Sequence, residues 1–69
     1  MERLAHIQAA VERFRTSGPP GIQEIFARMS DVEKAACDRW IIEKYPDIAA
    51  LPLTIAERFD RGVRQEIAR

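Results

Sequence analysis

From Ser30 to Pro46 the chain reads SDVEKAACDRWIIEKYP. This stretch limits the possible folds more than any other. Ser30 and Glu33 have the S-x-x-E spacing of a reciprocal helix cap, each side chain bonding to the other residue's backbone N–H. They predict a helix from Asp31 to about Tyr45, stopped by Pro46. Val32, Ala36 and Trp40 form one apolar stripe along it. Cys37, Ile41 and Tyr45 form a second, and Ala35 and Ile42 extend the apolar surface on the other flank. Only a thin strip around Lys34 and Asp38 is polar. A helix apolar on most of its circumference is normally buried, so this one is expected at the centre of the fold.

The remaining sequence reads as helix as well. No stretch alternates with period two for long, as a half-buried strand would. A first helix is expected from about Glu2 to Thr16. On it Leu4, Ile7, Val11 and Phe14 are spaced three, four and three residues apart. That is the narrow seam of a helix pair. Gly18 suits a left-handed C-terminal position, and Pro19 and Pro20 cannot continue the helix. A second helix runs from about Pro20 to Met29, with Ile22, Ile25, Phe26 and Met29 on one face. Residues 46–53, PDIAALPL, form the one irregular segment, in which Asp47 could cap a single helical turn. The segment is too apolar for a solvated loop, so it should cover something. The fourth helix opens with a second capping pattern, Thr54 and Glu57. Ile55, Phe59, Val63 and Ile67 recur on it every four residues, with Arg58, Arg61 and Arg64 opposite.

The expectation is therefore an all-α domain over residues 1–69, a small bundle of three to four helices. A core this small rarely supplies more than about 3–5 kcal/mol, and such domains usually carry a staple. Cys37 is the only cysteine, so no disulfide can form within the chain. Cys37 and His6 alone do not make a structural zinc site. Pairing of two copies is the staple that remains. The third helix can absorb about two partner faces. Its second stripe, the seam of the first helix and residues 48–53 are left over, and large exposed apolar patches mark interfaces. Homodimerisation through Leu4, Ile7, Val11 and Phe14 follows as an expectation.

Eleven acidic and eleven basic residues give a net charge of zero. Nucleic-acid binding by bulk charge depends on Lys and Arg releasing counterions, so the balance argues against direct nucleic-acid binding. It argues equally against a polybasic membrane peptide. No apolar run approaches the ~18–20 residues needed to cross a bilayer. The N-terminus, MERLAHIQAAVERF, is amphipathic and lacks the apolar block of a signal peptide. A cytoplasmic protein is expected.

No constellation of catalytic residues stands out. His6 has no Ser, Cys or Asp beside it in sequence, and Cys37 reads as a small buried hydrophobe. Gly18 and Gly21 flank prolines, without the strand and lysine of a phosphate loop. The carboxylates sit where ion pairs along a helix would use them: Asp31 with Lys34, Arg39 with Glu43, Glu57 with Arg61, Asp60 with Arg64. Neither an enzyme nor a cofactor is expected.

The alternative is a DNA-binding helix-turn-helix. Aligned from Gln23, it would place Phe26 and Ala27 on the first helix, and Val32, Cys37 and Trp40 on the second, at packing positions. Its turn departs from the pattern at Ser30 and Asp31. Its outward residues Glu33, Lys34, Ala35, Asp38 and Arg39 suit a phosphate-lined groove poorly.

The whole-chain profile is very short, helical and charge-balanced, with more apolar surface than one copy buries. It resembles small phage-encoded inhibitors of host regulators, the anti-quorum-sensing anti-activator type among them. That resemblance implies a homodimer that binds a host transcriptional activator and blocks its DNA-binding domain. The surface expected to hold such a partner is the C-terminal part of the third helix. There Ile41 and Tyr45 would be apolar anchors, Asp38 an acid facing a basic surface, and Arg39 a bidentate partner for a carboxylate.

Overall fold

A computed structural model describes residues 4–68, and all the regular structure among them is helical. The chain forms α1 (Ala5–Ser17), α2 (Pro20–Ala27), α3 (Asp31–Lys44), α4 (Pro46–Ala49) and α5 (Ile55–Ala68). The first turn expected at Glu2 lies outside the described residues. α4 is the single turn foreseen in residues 46–53, but it starts at Pro46, so Asp47 lies within its first turn and does not cap it; the fourth predicted helix is α5.

Local chemistry sets the boundaries. α1 ends at Gly18, whose N–H donates to the Phe14 carbonyl at 2.8 Å. Gly18 has φ 77° and ψ −167°. This is not the left-handed helical region expected but the extended, positive-φ region that only glycine readily occupies. Pro20 opens α2 at a position where its missing N–H costs nothing. Both capping boxes form in full. Ser30 N–H donates to Glu33 Oε1 at 2.8 Å, and Glu33 N–H donates to Ser30 Oγ at 3.2 Å. At α5, Thr54 N–H donates to Glu57 Oε1 at 3.0 Å, and Glu57 N–H donates to Thr54 Oγ1 at 3.2 Å.

α1 and α2 form a tight hairpin, and Arg13 Nη2 reaches Glu24 Oε2 across it at 2.9 Å. The central element is α5, not α3. α5 packs against each of the other four helices, whereas α3 packs extensively only against α4 and α5. The reason lies in the side chains. α5 buries Phe59, Gly62 and Val63 along one continuous face, wide enough for several neighbours. The apolar circumference of α3 includes alanines and Val32, which add little area and stay outside.

α3 and α5 run side by side in the same direction. Asp38 meets Arg58 at 3.2 Å, Ile41 meets Gly62, and Lys44 meets Glu66 at 2.9 Å. A Cβ on Gly62 would lie 3.0 Å from Ile41 Cγ1, so the missing side chain sets how closely the two helices approach. Parallel neighbours need a long return, and residues 45–54 supply it. Ile48 is buried on the way back and Leu53 packs at the core edge, which explains the apolar content of that segment.

Much of the apolar surface expected to be left over is buried, Ile7, Val11, Cys37, Ile41 and Ile48 among it, while Val32, Ile42, Leu51 and Ile55 stay exposed. A folded chain of 7.9 kDa is expected to expose about 4,400 Å² when it folds alone, and this one exposes 4457 Å². Its radius of gyration, 10.8 Å, likewise matches the ~11 Å of an isolated domain of this length.

Candidate partner-binding groove

The two sets of residues expected to form interfaces lie mostly inside. Ile7 and Val11 of the first-helix seam are fully buried within one chain, and Leu4 and Phe14 pack at the edge of the same core. The expected dimer seam is therefore internal. Its three-four-three spacing serves the hairpin with α2 and the contact with α5.

The α3 surface is corrected in the same way. Ile41 is fully buried against Gly62. Tyr45 is half-buried: its ring stands edge-on to Trp40 at 5.6 Å and its hydroxyl donates to Glu66 Oε2. Asp38 is held by Arg58. Of the four residues, only Arg39 stands exposed. Trp40 is core, as its stripe suggested, but Val32 on that same stripe is 80% exposed. The helix is rotated so that Cys37, Trp40 and Ile41 face inward. Burial pushes the Cys37 thiol up to about 11, with the Glu33 charge a lesser cause. Its Sγ lies 3.7 Å from Met29 Sδ, and a thiol held protonated in the core is a packing group.

A concave surface does exist, between α2 and α5. It is a groove of about 380 Å³, at the small end of the ~300–1,000 Å³ typical of ligand sites. Its apolar lining comes from Ile22 and Phe26 of α2 and from Ala56 and Phe59 of α5. The Phe26 and Phe59 rings lie 5.4 Å apart and tilted at 41°. Lys34 Nζ sits 4.9 Å from the centroid of the Phe26 ring, a cation–π contact that helps fix the ring.

The polar lining is Gln23, Glu57, Asp60 and Arg61. Its charges are not equivalent. Glu57 closes the capping box, and the Thr54 backbone N–H, then the Thr54 hydroxyl, hold its carboxyl below the ordinary 4.5, with Arg61 a minor cause. Asp60 Oδ2 accepts from Arg64 Nε at 2.9 Å. Arg61 is exposed and makes no ion pair among the described residues. The arginine face of α5 is thus divided three ways: Arg58 is tied to Asp38, Arg64 to Asp60, and Arg61 stands at the groove without an ion pair, with only a weak Coulombic influence on Glu57.

The sequence named Ile22, Phe26 and Phe59 as apolar faces of two different helices. It held no signal that those faces would part far enough to leave a groove. The ion pairs expected along single helices are mostly replaced. Asp60 with Arg64 closes as expected, but Glu57 serves its cap and Lys34 lies over Phe26. No group of three or more His, Cys, Asp or Glu side chains among the described residues could hold a metal ion, and no helix among them is long and apolar enough to cross a membrane.

Together these features define, among the described residues, an all-helical fold with a small, aromatic-lined groove between α2 and α5. No family model, curated protein or solved structure matches the chain.

Proposed function

We propose that the protein is an interaction module that inhibits a host protein, and within that class an anti-activator acting on the DNA-binding domain of a bacterial transcriptional regulator. The observation that supports the interaction reading is the α2/α5 groove: a concave apolar floor of two phenylalanines, bordered by polar side chains, on rigid helical walls. Such a site takes an anchoring side chain from a partner, the arrangement in which interface energy concentrates. The narrower anti-activator reading draws on the likeness to small phage inhibitors and on the zero net charge.

The helix-turn-helix alternative draws less support. Its alignment requires Val32 to pack between the two helices, yet Val32 is 80% exposed. α2 packs chiefly on α1 and α5 rather than on α3. The exposed side of α3 carries Asp31 and Glu43 beside Arg39, a poor match to phosphates.

Capture from a bacterial host lysate on the immobilised protein tests the proposal. A transcriptional regulator should be retained, and a duplex carrying its operator should compete with retention. Ala56 is exposed, so Ala56→Trp should fill the groove from within and abolish capture while leaving the far-UV circular dichroism unchanged. Unchanged capture by Ala56→Trp would remove the groove from the reading. Salt-sensitive binding to random duplex would favour the helix-turn-helix instead.

A further inference from the structure

We infer that the α2/α5 groove recognises an acidic apolar segment: one apolar side chain seated on Phe26 and Ala56, and a neighbouring carboxylate taken by Arg61. The inference rests on the groove being the partner site and adds the chemistry of what enters it. The charges around the groove carry it. The two carboxylates are committed elsewhere, Glu57 to the Thr54 cap and Asp60 to Arg64. Arg61, the cation in the groove lining, makes no ion pair among the described residues, and Lys34 lies over the Phe26 ring.

An occupant bearing a base would meet acids that already have hydrogen-bond donors, and would sit beside the Arg61 guanidinium. An occupant bearing an acid would give Arg61 the hydrogen-bonded carboxylate it lacks. Arginine presents a planar fork that matches a carboxylate in two parallel hydrogen bonds. It also sits on the helix that supplies Ala56, so the apolar and ionic contacts are held at a fixed separation. The size of the groove limits the apolar part to a side chain or two. The recognised element is therefore a short segment rather than a flat surface.

A defined probe tests this. Three synthetic helical peptides would share one leucine and differ only at the position four residues later, which is Glu, Gln or Lys. Each is titrated into isotope-labelled protein and followed by amide chemical shifts. The Glu peptide should shift the amides of Phe26, Ala56, Phe59 and Arg61, and should bind about two- to fivefold more tightly than the Gln peptide, the scale of one exposed ion pair. The Lys peptide should bind most weakly. Arg61→Gln should equalise the Glu and Gln peptides and leave the Gln peptide's affinity unchanged.

Equal affinity of the Glu and Gln peptides for the wild type, or a Glu preference that survives Arg61→Gln, would overturn the carboxylate contact while the groove reading stands. A preference for Lys would do the same and point to a basic partner. If no peptide moves a groove amide at millimolar concentration, the groove reading falls and this inference with it. Concentration-dependent shifts of the same amides without peptide would identify a second copy as the occupant and overturn the acidic segment.

Discussion

α3 and α5 are both 14-residue helices, both opened by a Ser/Thr-x-x-Glu capping box, and they lie side by side. Their sequences nevertheless specify their surroundings to very different degrees. On α5 the apolar residues recur on one side and the arginines on the other, and the buried face holds the expected Phe59 and Val63. On α3 apolar residues ring the helix, and the stripe expected to be left over is the one that is buried. A clear division between faces fixes a helix's rotation before it meets its neighbours. A helix with two usable stripes has its rotation chosen by whichever neighbour fits.

For α3 the neighbour that fits is the flat patch at Gly62. Ile41 is a branched side chain that sits where α5 offers no Cβ. The competing stripe holds Val32 and Ala36, which are smaller than Ile41, together with Trp40. Trp40 instead packs against Tyr45 and beneath Lys44, whose Nζ lies 5.1 Å from its ring. Trp40 is thereby shared between the two solutions, and Ile41 and Val32 are what distinguish them.

The largest test of this comparison exchanges the two. Ile41→Ala should cost about 2–5 kcal/mol, the range for truncating a fully buried aliphatic side chain. A core of this size supplies little more than that, so urea denaturation should find the variant mostly unfolded. Val32→Ala should stay within about 0.5 kcal/mol of the parent, as an exposed substitution does. Comparable costs at the two positions would mean that α3 is rotated the other way.

A smaller effect is expected where the two helices meet at their C-terminal ends. Glu66 is 5% exposed, and its carboxylate lies against Lys44 Nζ and the Tyr45 hydroxyl. Glu66→Gln keeps an acceptor for Tyr45 but removes the charge facing Lys44. It should lower stability by about 1–3 kcal/mol, the scale for a hydrogen bond to a charged group. Chemical denaturation of the variant at neutral pH measures this. No loss would show that the joint between the helices rests on Ile41 and Gly62 alone.

The smallest test asks whether the two helices start alike. Ser30→Ala and Thr54→Ala should each cost about 0.5–2 kcal/mol, and by similar amounts, because the two boxes have matching hydrogen-bond lengths. The boxes also set a pH dependence. The Ser30 backbone N–H, then its hydroxyl, hold the Glu33 carboxyl below the ordinary 4.5, and the Thr54 groups do the same to Glu57. A carboxyl depressed by folding stabilises the fold fully above its unfolded value. That contribution is lost as pH falls through the lower, folded value. Stability should therefore decline below about pH 4.5. Glu33→Gln with Glu57→Gln should flatten that part of the urea-midpoint profile, since glutamine keeps the box but cannot titrate. An unchanged slope would assign the acid limb to other carboxylates.

The candidate site was less legible than the fold. Arg58, Arg61 and Arg64 could be read as one face, but which of them is left without an ion pair depends on Asp38, twenty residues before Arg58 on another helix, and on Asp60. Asp38 and Tyr45 looked like surface groups because nothing in α3 itself satisfies them. Their partners, Arg58 and Glu66, come from α5. The first-helix seam was read correctly as a seam but assigned to a second copy. Spacing shows that a stripe packs against something, not whether the partner lies in the same chain.

What the sequence determined by itself was the local part: helices throughout, their starts at Ser30 and Thr54, their stops at Gly18 and Pro46, and the Phe59 and Val63 part of the inward face of α5. Each depends on residues within about one turn of one another, where capping bonds and the 3.6-residue period act directly. Only the tertiary structure decided the rotation of α3, the central place of α5, the enclosure of Ile7 and Val11, and the groove with Arg61 in its lining. These depend on how side chains far apart in sequence fit one another. Close packing admits one such fit among several that the hydrophobic pattern alone would allow.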